Sequence, residues 1–111
     1  GVTPAGAVEL EVNAKKRTAG SIGKFREEDL YRFAATKDGR YRIDTRGRTD
    51  VVMKLFGPND QTAVIAEDDD SGVDTNALIN TDLVAGQYFV QVRHYNRASG
   101  KGKYSIKVTR V

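Results

Sequence analysis

The sequence predicts an all-β fold: a single antiparallel β-sandwich, jelly-roll-like, with about nine short strands. Three observations favour this fold. Apolar and polar residues alternate with a period of two in several short segments, which is the pattern of a half-buried strand. Gly, Asn, Asp and Pro stand between nearly all of these segments. No segment shows a convincing helical repeat, and many short strands in one small chain indicate a sandwich or barrel.

The chain of 111 residues fits one domain. We expect residues 1–7, which include Pro4 and Gly6, to be a lead-in or linker, and residues 8–111 to be the folded domain. The chain begins at Gly1 without a leader, as an excised or mature segment would. It has no cysteine, which excludes disulfides and thiolate metal sites. The formal charge of +3 is below that of a dedicated nucleic-acid binder, and no apolar run is long enough for a membrane span.

The N-terminal half contains the first four predicted strands. Residues 8–12 alternate as a strand does, and a short strand follows around Ile22, after a basic run at residues 15–17 that is typical of a solvated turn. Residues 30–35 favour a strand over a helix because Tyr31 and Phe33, two positions apart, match a pleated surface. The turn signal Asp38-Gly39 then predicts a hairpin with residues 40–45.

The outer face of that hairpin would carry four arginines: Arg32, Arg40, Arg42 and Arg46. They suit either a solvated sheet face or contact with an acidic polymer. Further strands are predicted at residues 50–56, 62–66, 77–83, 88–93 and 104–108, the last two as a hairpin, and the two terminal strands should pair or lie close together. The predicted inward side chains are Tyr31, Phe33, Tyr41, Ile43, Met53, Leu55, Tyr88, Val90, Tyr104 and Ile106.

An ordered series of segments carries a family resemblance. It comprises residues 28–33 (EDLYRF), 39–43 (GRYRI), 50–55 (DVVMKL), 68–72 (DDDSG), 83–92 (LVAGQYFVQV) and 102–108 (GKYSIKV). From about Ala19 onward, the chain resembles the bacterial pre-peptidase C-terminal domain, a family related to the collagen-binding domains of clostridial collagenases. The resemblance implies a non-catalytic β-sandwich attached to secreted peptidases and other exported enzymes. Such domains are often removed on maturation, and they assist secretion or attachment to substrate.

An acidic loop at residues 67–74 is the candidate metal site. Calcium prefers six to eight oxygen ligands, and Asp68, Asp69, Asp70, Asp74 and Asn76 could supply several of them. The spacing fits no EF-hand, and a solvated acidic turn whose side chains bond backbone N–H groups is the alternative. The related collagen-binding domains carry calcium near their N-terminal segment, and the resemblance gives residues 27–29 as a second possible set.

Exposed aromatic residues give the candidate ligand-binding site. If Tyr88, Val90 and Val92 face the core, the opposite face of the same strand and its continuation carry a different set, namely Phe89, Arg93, Tyr95 and Arg97. This set suits a polymeric ligand, unless a loop or another strand covers Phe89. The only histidine, His94, lacks the partners that a catalytic triad or zinc site needs, so no catalytic residue is predicted and the chain is not expected to be an enzyme.

These features predict a non-catalytic accessory domain of an exported bacterial enzyme, a peptidase by resemblance. The domain would aid secretion and maturation or bind weakly to a polymeric protein or polysaccharide. The alternatives are a calcium-stabilised structural module and a carbohydrate-binding module, the latter disfavoured by the absence of tryptophan. We expect a monomer that shares its precursor with the parent enzyme, is secreted, periplasmic or on the cell surface, and binds no nucleic acid. Calcium is the only cofactor predicted.

Overall fold

The computed structural model describes residues 7–23, 27–60, 62–69, 76–95 and 101–111. Within these ranges the chain forms nine β-strands and no helix. The strands are β1 (Val8–Glu9), β2 (Thr18–Ile22), β3 (Glu28–Ala35), β4 (Gly39–Arg46), β5 (Val51–Phe56), β6 (Val64–Asp68), β7 (Leu78–Leu83), β8 (Gly86–His94) and β9 (Gly102–Arg110). None of the described segments is a helix long and apolar enough to cross a bilayer.

Two sheets stack to form the sandwich. One has five strands in the order β1-β3-β8-β5-β6, and the other has four in the order β2-β9-β4-β7. Apart from the short parallel pair of β1 with β3, all described pairs are antiparallel. Without β1, each sheet has four strands in the order of a jelly roll. The predicted fold class is therefore confirmed.

The two predicted hairpins, β3 with β4 and β8 with β9, are wrong. β3 pairs with β8, whereas β4 pairs with β7 and β9 in the other sheet. β8 lies between β3 and β5, and β9 lies between β2 and β4. The alternating pattern shows which side of each strand faces the core. The pattern does not change when the next strand joins the facing sheet instead of the same sheet, so it cannot predict which strands pair. The turn at Asp38 therefore carries the chain across the sandwich, and β5 with β6 is the consecutive pair that the described strands form.

The first strand is shorter than predicted. Only Val8 and Glu9 pair with β3, and the backbone N–H of Leu10 donates to Arg32 O at 2.7 Å. Asn13 then takes a positive φ of 62°, which asparagine tolerates. Its backbone N–H donates to Val108 O at 2.9 Å, so the chain crosses from the five-stranded sheet to β9. The terminal segments thus lie close together, although β1 and β9 do not pair.

The core lies between the sheets and contains every predicted inward side chain. The fully or almost fully buried members are Tyr31, Phe33, Tyr41, Ile43, Met53, Leu55, Tyr88, Val90, Tyr104 and Ile106. Phe33 stacks on Tyr88 with ring centroids 5.5 Å apart and approaches Tyr41 of the other sheet at 6.3 Å. The hydroxyls of Tyr41 and Tyr88 donate to backbone carbonyls at 2.6 and 2.7 Å, so their polar ends are satisfied.

Strand register separates the four arginines that the sequence placed on one face. Arg32 belongs to β3 and lies opposite Phe89 on the outer face of the five-stranded sheet. Arg40, Arg42 and Arg46 belong to β4 and face outward from the four-stranded sheet. The predicted four-arginine patch is therefore wrong, because its hairpin does not form.

Candidate functional site

Strand β8 crosses the middle of the five-stranded sheet and points Phe89, Gln91 and Arg93 outward. Phe89 is partly buried, and in register it lies between Arg32 of β3 and Phe56 of β5. Arg32 is held by an ion pair with Glu9, with 3.7 Å between Nε and Oε1. Phe89 therefore lies within a row of large side chains and presents part of its ring to solvent.

Arg93 and Tyr95 lie at the end of β8. Arg93 Nη1 donates to His94 O at 3.1 Å. Arg93 Nε is buried and makes no hydrogen bond within the described part of the chain. The ring of Tyr95 is 54% exposed, while its backbone N–H is anchored on Asp50 O at 2.8 Å. Arg97, the fourth residue of the predicted ligand set, lies outside the described residues.

A surface pocket of about 380 Å³ joins this strand end to the acidic loop. Val52 is 7% exposed and pairs in register with Arg93. We call this concavity the Tyr95 pocket; it is lined by Val52, Glu67, Asp68, Asp69, Arg93 and Tyr95. It brings together two members of the predicted metal set and two of the predicted ligand set.

The meeting of the two sets was not predicted, because their proximity depends on strand order. Glu67 pairs in register with Lys54, and Lys54 pairs with Gln91 of β8, so β5 holds the acidic strand β6 next to β8. Strands β6 and β8 are not consecutive, and no local pattern reports their spacing. Val52 gave no signal either, because an apolar residue in an apolar strand is typical of the core.

The pocket contains charges of both signs. Lys54 Nζ lies 3.5 Å from Glu67 Oε2, and Arg93 also lines the pocket. Burial raises the pKa of the neighbouring Asp50, and the charge of Asp69 adds to this increase while His94 opposes it. Such a site can hydrogen-bond both donors and acceptors of a ligand.

The acidic loop is described only in part. Asp68 Oδ2 accepts a hydrogen bond from the backbone N–H of Leu78 at 2.8 Å, which ties the end of β6 to β7. Asn76 is buried just before β7, whereas Asp70 and Asp74 lie outside the described residues. Among residues the structure describes, no three Asp, Glu or His side chains converge as a metal site. The calcium site stays a prediction, and Asp68 acts on a backbone N–H as the alternative expects.

A second acidic pair lies at the same end of the five-stranded sheet, on the side of β3, where Asp29 pairs in register with Val92 of β8. Asp29 Oδ2 accepts a hydrogen bond from the hydroxyl of Tyr104 at 2.7 Å. Burial raises the pKa of Asp29 to about 6, and a hydrogen bond with Glu27 adds to this increase. The carboxyl borders a pocket of about 470 Å³ that Tyr31 and Ser21 also line. The described residues supply two carboxylates here, which is a partial fit to the six to eight oxygen ligands of calcium.

Comparison with known proteins gives one family and several structures of the same fold. The model of the bacterial pre-peptidase C-terminal domain matches residues 27–94, more than half of the chain. No curated protein matches the sequence. The pre-peptidase C-terminal domain of Bacillus anthracis collagenase is similar in structure, with a TM-score of 0.75 and 19% identity, over 92% of this chain and 93% of that one.

Two periplasmic inhibitors of g-type lysozyme share the fold at lower similarity. PliG of Salmonella Typhimurium has a TM-score of 0.58 and 20% identity, over 93% of this chain and 98% of that one. PliG of Aeromonas hydrophila has a TM-score of 0.57 and 15% identity, over 92% and 96%. Together with the jelly-roll order of the strands, the family match over residues 27–94 identifies the chain. It belongs to the bacterial pre-peptidase C-terminal domain family, the non-catalytic accessory domains of exported bacterial peptidases.

Proposed function

We propose that this domain attaches its parent enzyme to a polymeric protein through the outer face of the five-stranded sheet, with the Tyr95 pocket as the centre of contact. The parent would be a secreted, periplasmic or cell-surface peptidase made as one precursor with this domain. The domain itself would act as a monomer and could also assist secretion and maturation of that precursor.

The observation that carries the proposal is the buried Nε of Arg93. This N–H has no hydrogen-bond partner among the described residues. A buried donor without an acceptor destabilises a protein by about 1–3 kcal/mol, so such groups usually have a partner in the functional state. A carbonyl or carboxylate of a bound polypeptide would supply that acceptor once the guanidinium turns toward the pocket.

The other walls of the pocket match the chemistry of a polypeptide. Glu67 and Asp69 can accept from backbone N–H groups or from cationic side chains, while Arg93 donates. The exposed ring of Tyr95 can bury apolar area and keep its hydroxyl in water, which is why tyrosine is frequent at interfaces. Phe89 and Phe56 extend the contact along the sheet.

A protein ligand is favoured over a neutral sugar chain. The chain has no tryptophan, the usual stacking platform of sugar sites, and the pocket is bordered by charges of both signs. The PliG proteins carry the same sandwich and inhibit a lysozyme, which supports the use of this fold for recognising protein. Binding to a neutral polysaccharide is the alternative outcome of the test below.

The test is co-sedimentation of the purified domain with insoluble collagen, immobilised casein, cellulose and chitin. We expect saturable binding to at least one protein matrix, and loss of that binding in Arg93→Ala and Tyr95→Ala. Val84→Ala is the matched control, because Val84 is 55% exposed, as Tyr95 is, but lies between β7 and β8. Binding to cellulose or chitin alone, or equal loss in all three variants, would contradict the proposal.

We also propose that calcium stabilises the domain. The raised pKa of Asp29, caused by burial and by the neighbouring Glu27, indicates carboxylates whose repulsion a cation would relieve. Melting temperatures in chelator and in millimolar calcium test this, since a bound ion stabilises the folded state by mass action. An unchanged midpoint would exclude it. If calcium raises the midpoint, loss of that increase in Asp29→Asn or in Asp69→Asn would show which acidic cluster holds the ion.

A further inference from the structure

The positive charge of this domain is concentrated on the outer face of the four-stranded sheet. Register points Arg40, Arg42 and Arg46 of β4 outward beside Lys103 and Lys107 of β9. The guanidinium of Arg17 joins them, because its Nε donates to the hydroxyl of Ser105, an outward residue of β9, at 2.7 Å. We call these side chains the basic face: Arg17, Arg40, Arg42, Arg46, Lys103 and Lys107.

Only two carboxylates share this face among the described residues, Asp44 and Asp82. Six cations less two anions leave a formal charge of +4, more than the +3 of the whole chain. The outer face of the five-stranded sheet has no such excess of positive charge. Its strands carry three acidic residues, Glu9, Glu28 and Glu67, and three basic ones, Arg32, Lys54 and Arg93, and Asp68 and Asp69 also border its Tyr95 pocket.

The two carboxylates cannot neutralise the basic face. Asp44 is shared by two arginines, at 3.0 Å from Arg17 and 3.6 Å from Arg46. Burial lowers the pKa of Arg17, and repulsion from Arg46 and Arg42 adds to that effect while Asp44 opposes it. Arg42 and Lys103 are exposed and form no ion pair with any described residue. Arg42 instead lies between the neutral side chains of Asn80 and Thr109.

We propose that the basic face binds an acidic polysaccharide, a linear chain of carboxylate-bearing sugars. Outward positions two residues apart on a strand are separated by about 6–7 Å, so Arg40, Arg42 and Arg46 form a row along β4. Arginine binds carboxylates through two parallel hydrogen bonds, and Asn80 and Thr109 can bond sugar hydroxyls beside it. Asp44 interrupts this row between Arg42 and Arg46, so an extended polyanion would place its carboxylates at the arginines on either side of it.

Features of the same face argue against other polyanions. No outward residue of the described four-stranded sheet is aromatic, so the stacking that single-stranded nucleic acids use is missing. Among the large exposed apolar side chains of the described residues, Val111 lies beside Arg40 at one end of this face, and one valine offers too little apolar area to hold the domain on a bilayer. Lipid and nucleic acid are therefore included in the test as competing outcomes.

The experiment measures binding of the domain to polygalacturonate, a linear polymer of galacturonic acid, at about 0.02 M and about 0.3 M salt. The matched ligand is the same polymer with its carboxyls methyl-esterified, which keeps the sugar chain and removes the charge. We expect binding to the free acid at low salt, about tenfold weaker binding at the higher salt and none to the ester. Equal binding to acid and ester would overturn the proposal.

Two variants are compared. One is the double variant that combines Arg42→Glu and Lys103→Glu, and the other is the control Lys37→Glu. The first two residues form no ion pair among described residues, so the double variant should melt as the wild type does. Lys37 is an exposed residue in the connection from β3 to β4, away from the outward row. We expect the double variant to bind polygalacturonate at least about tenfold more weakly and the control to bind within about twofold. Equal effects would overturn the proposal.

Two further measurements identify the partner. Vesicles of phosphatidylglycerol and phosphatidylcholine in equal parts, and duplex DNA, are titrated at the same salt. Tighter binding to either than to polygalacturonate would overturn the choice of an acidic polysaccharide. Arg93→Ala and Tyr95→Ala lie on the opposite sheet and should bind polygalacturonate as the wild type does. The result is therefore independent of the proposed protein-binding role.

Discussion

The hydroxyl groups of Tyr31 and Tyr104 lie 2.6 Å apart and join the two sheets of the sandwich. Tyr31 belongs to β3 and Tyr104 to β9, and their rings meet edge to face with centroids 6.4 Å apart. Tyr104 donates to Asp29 Oδ2 at 2.7 Å, so its oxygen accepts the proton of Tyr31. The three polar groups therefore form a directional chain from one sheet to the other and back.

Because this hydrogen-bond chain has a direction, removing the two tyrosine hydroxyls should lower the free energy of unfolding by unequal amounts. Tyr31→Phe removes only the first donor and should lower the free energy of unfolding by about 1 kcal/mol. Tyr104→Phe leaves a buried donor on Tyr31 and an acceptor on Asp29 without partners, and should cost about 2–3 kcal/mol. Urea unfolding of both variants measures the difference. Equal costs would mean that the chain is not directional.

Gly20 permits this contact because it has no side chain. A Cβ at this position would lie 2.6 Å from Tyr104 Cζ and would also overlap the hydroxyl of Tyr31. Gly20→Ala should therefore destabilise the domain by about 1–3 kcal/mol, the usual cost of overpacking a core. Ser21→Ala, on the exposed face of the same strand, should change the free energy of unfolding by less than about 0.5 kcal/mol. Similar effects of the two variants would contradict the close approach.

Asp29 should give stability a distinctive dependence on pH. Its folded-state pKa of about 6 lies above the ordinary 3.8, because burial and Glu27 disfavour the charged form. The contribution of Asp29 to the free energy of unfolding is therefore fully present below about pH 3.8 and is lost as pH rises through about 6. Asp29→Asn cannot titrate and keeps an acceptor for Tyr104. Across that range, the melting temperature of the wild type should fall relative to this variant.

Asp60 is a control for this pH dependence, because its pKa is shifted in the opposite direction from that of Asp29. Hydrogen bonds from the backbone and hydroxyl of Thr62 lower the pKa of Asp60 below its ordinary 3.8. Its contribution is present above that ordinary value and is lost as pH falls through the folded-state pKa. The melting temperature of the wild type should therefore rise relative to that of Asp60→Asn as pH increases through this acidic range. A constant difference for Asp29→Asn at all pH values would show that Asp29 has no raised pKa.

Arg17 is predicted to contribute more to stability than Arg46, although both contact Asp44. The side chain of Arg17 is 21% exposed and also donates to Ser105 Oγ at 2.7 Å and Asp44 O at 2.8 Å. The side chain of Arg46 is 66% exposed and lies 3.6 Å from the carboxylate. Arg17→Ala should cost about 1–2 kcal/mol in thermal or urea unfolding, and Arg46→Ala less than about 0.5 kcal/mol. The reverse order would contradict these contacts.

Alternation of apolar residues was sufficient to predict the inward faces of the strands and the sandwich class. It predicted Val90 and Ile106 as core residues because a period of two is a property of one strand alone. It did not predict that β3 and β4 separate, since partner choice depends on the whole chain. Arg17 was attributed to a solvated turn and no role was predicted for Gly20, because their roles come from contacts with Asp44 and Tyr104, which are distant in sequence.

For the candidate sites, the sequence pattern proposed Arg93 with Tyr95 and, separately, Asp68 with Asp69, from an exposed aromatic residue and from clustered carboxylates. Both sets stay predictions. Their meeting in one pocket follows from the position of β5 between β6 and β8. Segments adjacent in space but not in sequence carry no local signal of that contact.

Amide chemical-shift mapping with a soluble collagen-like peptide would show whether a polypeptide binds at the Tyr95 pocket. We predict that the largest concentration-dependent shifts occur at Val52, Glu67, Arg93 and Tyr95, with smaller ones along the outer face of β8. Amides of Arg42 and Thr109 on the opposite sheet should not move. Shifts centred on the four-stranded sheet, or no shifts at millimolar peptide, would contradict the account.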